Sequence, residues 1–140
     1  MGEPAPHAEL IRDGFAAFSE RRFSDCLATM HPEIEWHIAF RLPDLPPGRT
    51  VARGHDEVLE LWQRFTSVWD RLIFAPEEIL YDEGDTAIVR IHVIGTGGES
   101  GIEVDRTVYY LMTIEGEQLR RIEPYDSPED ARAAAGLGQG

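Results

Sequence analysis

The 140-residue sequence contains no lysine: all 13 of its basic residues are arginine. That absence excludes Schiff-base chemistry on a lysine, and a GC-rich coding bias explains it more simply than an arginine-specific function. It has a single cysteine, Cys26, so no intrachain disulfide can form, and a reducing cytoplasm is the expected location. Ser24-Asp25-Cys26-Leu27 reads as a short helix, where a cysteine is a small core residue rather than a nucleophile. Positive charge is scarce beside 26 acidic residues, and the net charge of −13 argues against nucleic acid and anionic membranes as partners. No apolar run approaches the ~18 residues of a membrane span. Met1 to Pro6 lacks the basic and apolar regions of a signal peptide, and Pro6 stands where myristoylation wants Ser or Thr. His7, His31, His37, His55 and His92 are scattered without metal-ligand spacing, so no metal is expected. Gly95 to Gly101 resembles a phosphate loop but leads from strand to strand, with no helix N-terminus to hold phosphate. No cofactor is implied.

What is present is an ordinary globular composition, 42% hydrophobic and 28% charged, long enough for one domain with a real core. That domain is expected over residues 7–137, with a disordered stretch at 1–6 and a tail at 138–140. Leu10, Ile11, Phe15 and Phe18 recur at helical spacing and predict a first helix from His7 to Arg21. Ser24 is placed to cap a short second helix that His31-Pro32 ends. Ile34, Trp36 and Ile38 alternate with Glu35 and His37 as in a strand. Arg41 to Arg53, rich in proline, predicts an irregular loop. Gly54-His55-Asp56-Glu57 opens a third helix with its acids in the first turn, where the dipole favours them. Val58, Leu61, Trp62, Phe65 and Trp69 form its apolar stripe.

The period then changes to two. Leu72–Tyr81, Thr86–Ile94, Ile102–Ile114 and Gln118–Tyr125 read as long strands joined in a meander of hairpins. Ser127, Pro128, Glu129 and Asp130 spell the start of a short last helix, which Gly136 stops. Helices followed by a long antiparallel meander predict an α+β fold: a curved, mainly antiparallel sheet with the three N-terminal helices over one face, and a cone-shaped cavity where they do not fill the curve. In the second long strand Ala87, Val89, Ile91 and Val93 share one face, and Ile88, Arg90, His92 and Ile94 share the other. Parity alone leaves open which face meets the helices.

Met30-His31-Pro32-Glu33-Ile34-Glu35-Trp36, the helix entry Gly54-His55-Asp56-Glu57-Val58, the strand Leu119 to Asp126 and the tail Ala133 to Leu137 stand in an order that resembles the SnoaL-like members of the nuclear transport factor 2-like superfamily. Ketosteroid isomerases, limonene epoxide hydrolases and polyketide cyclases are its relatives. The resemblance implies a cone-shaped α+β barrel, an apolar pocket in it and usually a homodimer, but no particular reaction. Ketosteroid isomerases carry an aspartate base on the first strand, and Glu35-Trp36-His37-Ile38 offers no clear match. Limonene epoxide hydrolases carry Arg-x-Asp where this chain has Arg90-Ile91-His92, and an aspartate on the last strand where it has Glu123. Polyketide cyclases use one acid/base aspartate near the last strands, again closest to Glu123.

The resulting expectation is a domain that binds a small apolar or partly polar molecule. If it is an enzyme, it is a cofactor-free isomerase, cyclase or hydrolase. Glu123 is its expected acid/base group, because a carboxylate facing an apolar pocket is desolvated and its pKa rises toward neutrality. His92 and Arg90 are expected to assist, sharing one strand face. Trp36, His37, Phe40, Trp62 and Tyr109 are the candidate ligand contacts, with Trp36 and His37 on opposite faces and one of Tyr109 and Tyr110 lining the cavity. The competing expectation is a non-catalytic ligand carrier or dimeric interaction module, its pocket closed by Trp36, Phe40 and Trp62.

Overall fold

The computed structural model describes residues 7–37, 51–97, 101 and 103–137, at 65–68 the backbone alone. The expectations for 1–6, 138–140, Phe40 and most of the proline-rich loop lie outside the described residues. Helix α1 spans Ala8–Ser19, α2 Phe23–Ala28, α3 Gly54–Val68 and α4 Pro128–Ala134. Strands run β1 Met30–His37, β2 Val51–Arg53, β3 Trp69–Glu83, β4 Thr86–Gly97, β5 Glu103–Glu115 and β6 Gln118–Tyr125. They form a six-stranded sheet in the order β2-β1-β6-β5-β4-β3. The meander β3 to β6 is antiparallel, and β1 joins β6 in parallel. Among the described residues no helix is long and apolar enough to cross a membrane.

The sheet curves because its long strands are interrupted. Register shifts fall between Trp69 and Arg71, Pro76 and Glu78, Ile79 and Tyr81, and Thr113 and Ile114, and each extra residue bends and twists its strand. Gly95 admits a close approach on the concave side. A Cβ there would sit 2.8 Å from Val104 Cγ1 and 2.9 Å from Leu72 Cδ1, tighter than packed side chains tolerate. Helices α1, α2 and α3 pack on this concave side, and α4 packs on the convex side.

Four local expectations are corrected. Ser24 does not cap α2, whose N-cap is Arg22 with no side-chain bond. Strand β1 begins at Met30 and runs through His31-Pro32. Proline is tolerated there because it lies inside a register shift between Met30 and Glu35, where no ladder donor is needed. The last residues of the expected loop form β2, an edge strand pairing Ala52 with Trp36. The first helix is shorter than expected, and its end explains why. Arg21 adopts a left-handed φ of 60°, Arg21 N–H donates to Phe18 C=O and Arg22 N–H to Ala17 C=O. That is a Schellman stop, with arginine where glycine is usual. The Arg21 guanidinium donates to the Trp69 and Asp70 carbonyls at 3.2 and 2.6 Å, which ties the strained turn to the start of β3.

Candidate functional site: a closed aromatic cone and a charged outer face

The face assignment that parity left open is settled by burial. Ala87, Val89, Ile91 and Val93 of β4 are fully buried in the main core with Val108, Tyr110 and Met112 of β5 and Ile122 of β6. The opposite parity of the same strands faces outward. There, Ile88 and Leu111 pack on Ala131 of α4, with Tyr81, Tyr109 and Tyr125 against them. The uninterrupted apolar parity thus meets the helices, because their rings can be covered only by apolar partners.

Inside the cone the aromatic side chains of three helices meet the sheet. Phe18 lies between Trp62 and Phe74, at 5.4 and 5.1 Å between ring centroids. Trp36 meets Trp62 at 5.6 Å, and Phe15 stacks on Tyr110 at 6.0 Å and on Phe74 at 6.2 Å. Among the described residues a cavity of about 10 Å³ lies between Ile11, Gly14, Phe15 and Phe18 of α1, Cys26 of α2, Met30 and Trp36 of β1, and Leu119 and Ile122 of β6. It holds about one water molecule at most. The Cys26 thiol donates to Gly14 C=O at 3.2 Å, and burial pushes its pKa up to about 12, so it stays neutral and unreactive. Tyr110 is likewise pushed up by burial, only partly offset by the charge of Arg106. Three donors in this interior, Tyr110 Oη, Trp62 Nε1 and Trp69 Nε1, have no hydrogen-bond partner among the described residues, although such groups normally find one.

The expected acid/base residues are elsewhere. Ile122 is buried in the core, so Glu123 points to the other side, opposite Leu111. Arg90 and His92 share that outer face, opposite Tyr109 and Thr107. These three therefore lie on the far side of the sheet from the cavity, half-buried among other charges. Arg90 binds Glu78 at 2.9 Å and Glu77 at 3.5 Å. His92 Nε2 meets Asp105 Oδ1 at 2.6 Å, and Glu123 accepts a long 3.4 Å bond from Tyr125. Of the expected ligand contacts, Trp36 lines the cavity, and Trp62 is fully buried one ring behind it. Tyr109 joins the outer cluster. His37 also points outward, beside Glu35 at 3.6 Å. Of the cavity wall, sequence reasoning assigned Trp36 alone to the site; Phe15, Phe18, Cys26 and the other lining residues were not assigned to it. The helical spacing of Phe15 and Phe18 was the available signal; nothing in the sequence chooses Tyr110 over Tyr109. Among the described residues no group of His, Cys, Asp and Glu is arranged to hold a metal.

The His92–Asp105 hydrogen bond raises the histidine pKa, with the Asp105 and Glu77 charges adding to it and burial opposing it. The contribution to stability is full below the unfolded value of about 6.5 and fades as pH rises through the higher folded value. Asp105→Asn is expected to lower the His92 titration midpoint seen by proton NMR, and an unchanged midpoint would contradict the pairing.

A curved sheet with helices on its concave side and an aromatic interior defines an α+β cone fold. Within it, the chain belongs to the SnoaL-like domain family, whose model matches residues 11–122. No curated protein matches it. Solved structures share its fold. A crystal structure of TerC with polyporic acid aligns at 21% identity over 94% of this chain and 95% of that one, TM-score 0.73. An NTF2-like protein of unknown function from Burkholderia pseudomallei aligns at 20% over 96% and 98%, TM-score 0.71. A ketosteroid isomerase-like protein from Catenulispora acidiphila, solved with trimethylamine, aligns at 13% over 95% of each, TM-score 0.71. At these identities the likeness is one of fold.

Proposed function

We propose that this SnoaL-like domain binds a small, largely apolar molecule in its cone and acts as a carrier or sensor rather than through acid/base chemistry of Glu123, His92 and Arg90. The observation that carries this reading is the division of the sheet. Aromatic rings and neutral donors occupy the concave side, while the three expected catalytic groups are committed to the convex one. TerC, crystallised with a small organic molecule, and the Catenulispora protein, crystallised with trimethylamine, support a small-molecule role for the shared fold. A reducing cytoplasm fits the lone, buried Cys26.

The convex face favours a second, compatible property, self-association as a homodimer. Half-buried Tyr109 and Tyr125 and exposed Ile94 lie there among the paired charges Arg90–Glu78 and His92–Asp105. Such a mixed surface is complementary to a two-fold copy of itself.

A thermal-shift screen with neutral aromatic compounds tests the binding reading. A compound present at a hundred times its Kd adds about 2.7 kcal/mol to the native state. Its Tm shift is expected to survive Glu123→Gln, because Glu123 lies across the sheet from the cavity. Loss of the shift in that variant would return the ligand to the last strand's carboxylate and overturn the reading.

A further inference from the structure

Helix α2 is a thin wall of the cavity. Cys26 lines the cavity from inside, while its neighbours Ser24, Asp25 and Ala28 are exposed. One helix thus stands between the cavity and solvent there. Of its six residues only Cys26 is buried, and a helix that short has little stability of its own. The other walls are fastened. Strands β1 and β6 belong to the sheet. Helix α1 is tied to β3 at both ends: the Asp82 carboxylate holds His7, Ser19 Oγ accepts from Phe74 N–H at 3.3 Å, and the Arg21 guanidinium just beyond the helix donates to the Trp69 and Asp70 carbonyls.

Helix α2 hangs between two fixed points. Before it, Arg21 holds a left-handed φ of 60°, strained for a residue with a Cβ, and is locked to β3. After it, Thr29 C=O accepts from Leu119 N–H at 2.8 Å. Between these points, among the described residues, α2 reaches the body through two weak hydrogen bonds: the Cys26 thiol to Gly14 C=O at 3.2 Å, and Gln118 Nε2 to Ala28 C=O at 3.4 Å. Arg22 pairs with Glu20 and Asp25, close neighbours in sequence and all exposed. The strongest hold is half-buried Phe23, whose ring lies 5.9 Å from Phe18 and 5.2 Å from Trp62. Few buried contacts and few hydrogen bonds to the body are the marks of a segment that opens by itself.

We propose that α2 is the entrance to the cone: residues 22–28 swing outward as a flap hinged at Arg21 and Thr29, with Phe23 as the latch, and admit small neutral aromatic molecules to the cavity wall while α1 and the sheet stay in place. The flap stands on this geometry alone; its use by a ligand rests on the binding reading above.

Cys26 is the reporter. With α2 closed, its thiol is buried and neutral and does not react. The probe is 4,4′-dithiodipyridine, itself a small neutral aromatic. The Cys26 thiolate attacks one of its sulfurs, a mixed disulfide forms, and one pyridinethione leaves and is read by absorbance. In wild type, labelling is expected to be at least about a hundredfold faster than global unfolding allows, with a urea dependence far shallower than the equilibrium m value. Phe23→Ala is expected to speed labelling without urea by about tenfold or more, through loss of its two ring contacts. Asp82→Ala, which loosens the far end of α1 and lowers overall stability, is expected to change that rate by less than about twofold. Labelling that tracks global unfolding at every urea concentration overturns the flap. So does acceleration of both variants in proportion to their lost stability. Fast labelling that Phe23→Ala leaves unchanged overturns α2 as the moving part. A failed ligand screen beside labelling as expected removes the binding reading and leaves the flap.

Discussion

Trp62→Ala is expected to remove about 3–5 kcal/mol of unfolding free energy, a large share of what a domain of this size has. Trp62 is fully buried, and its ring is contacted by Phe18, Phe23 and Trp36 at centroid distances of 5.4, 5.2 and 5.6 Å. Those partners come from α1, α2 and β1, so the indole joins the helix layer to the sheet at the point where α3 crosses it. A void of that size collapses poorly because the surrounding rings are held by further rings, Phe18 on Phe74 and Trp36 on Phe74. Trp62→Phe is expected to cost much less. It loses area but also removes a buried N–H with no partner. Urea denaturation reads both variants as a shift in midpoint. A loss below about 1 kcal/mol for the alanine variant would mean that the aromatic cluster is not a cooperative unit.

The same cluster marks how far the sequence could be read. The meander was legible because strand period, Gly84 and Gly116 at the turns, and a Ser127 cap all point to one arrangement. Ser127 Oγ accepts from Asp130 N–H at 3.1 Å, as that cap predicts. The four-stranded meander and the α+β class follow from those signals and from the family resemblance. The site was less legible, for a physical reason. A strand offers two faces of equal standing, and only the partner layer decides which is interior. Arg90, His92 and Glu123 do share a face, as their spacing requires. Their assignment to the pocket depended on the N-terminal helices covering that face, and α1, α2 and α3 cover the other. The purely apolar parity of β4, with Ala87, Val89, Ile91 and Val93, was the better guide, since three aromatic helices have no use for an arginine and a histidine. Tyr109 and Tyr110 show the same ambiguity in one step: neighbouring residues of the same type, one in the core and one in the outer cluster. Register shifts such as Ile79 to Tyr81 and Thr113 to Ile114 reset the alternation within a strand, and no residue pattern announces them. Strand β2 was hidden for a different reason. It is three residues at a sheet edge after a proline-rich stretch, too short to show a period.

Asp82→Ala is expected to cost about 2–4 kcal/mol, more than its place near a strand end suggests. Its side chain is 2% exposed and accepts twice from one residue: from His7 Nδ1 at 2.6 Å and from His7 backbone N–H at 2.9 Å. Helix α1 has no side-chain cap of its own, so this carboxylate from β3 supplies the acceptor at its N-terminus, where the helix dipole also favours negative charge. Removing it leaves a donor without its partner at a part-buried helix start, and charge-assisted bonds of this kind are worth about 1.5–3 kcal/mol each before packing is counted. The two bonds have different origins, and that gives the prediction its test. His7→Ala deletes the imidazole but keeps the backbone N–H, so it is expected to cost clearly less than Asp82→Ala. The double variant is expected to be no worse than Asp82→Ala alone by more than a few tenths of a kcal/mol, because the imidazole has lost its partner already. Thermal or urea unfolding of the three variants measures the cycle. Equal costs for the two single variants would place the whole effect in the side-chain pair and remove the capping role. Because α1 supplies Ile11, Gly14, Phe15 and Phe18 to the cavity wall, the same anchor also fixes one wall of the cavity.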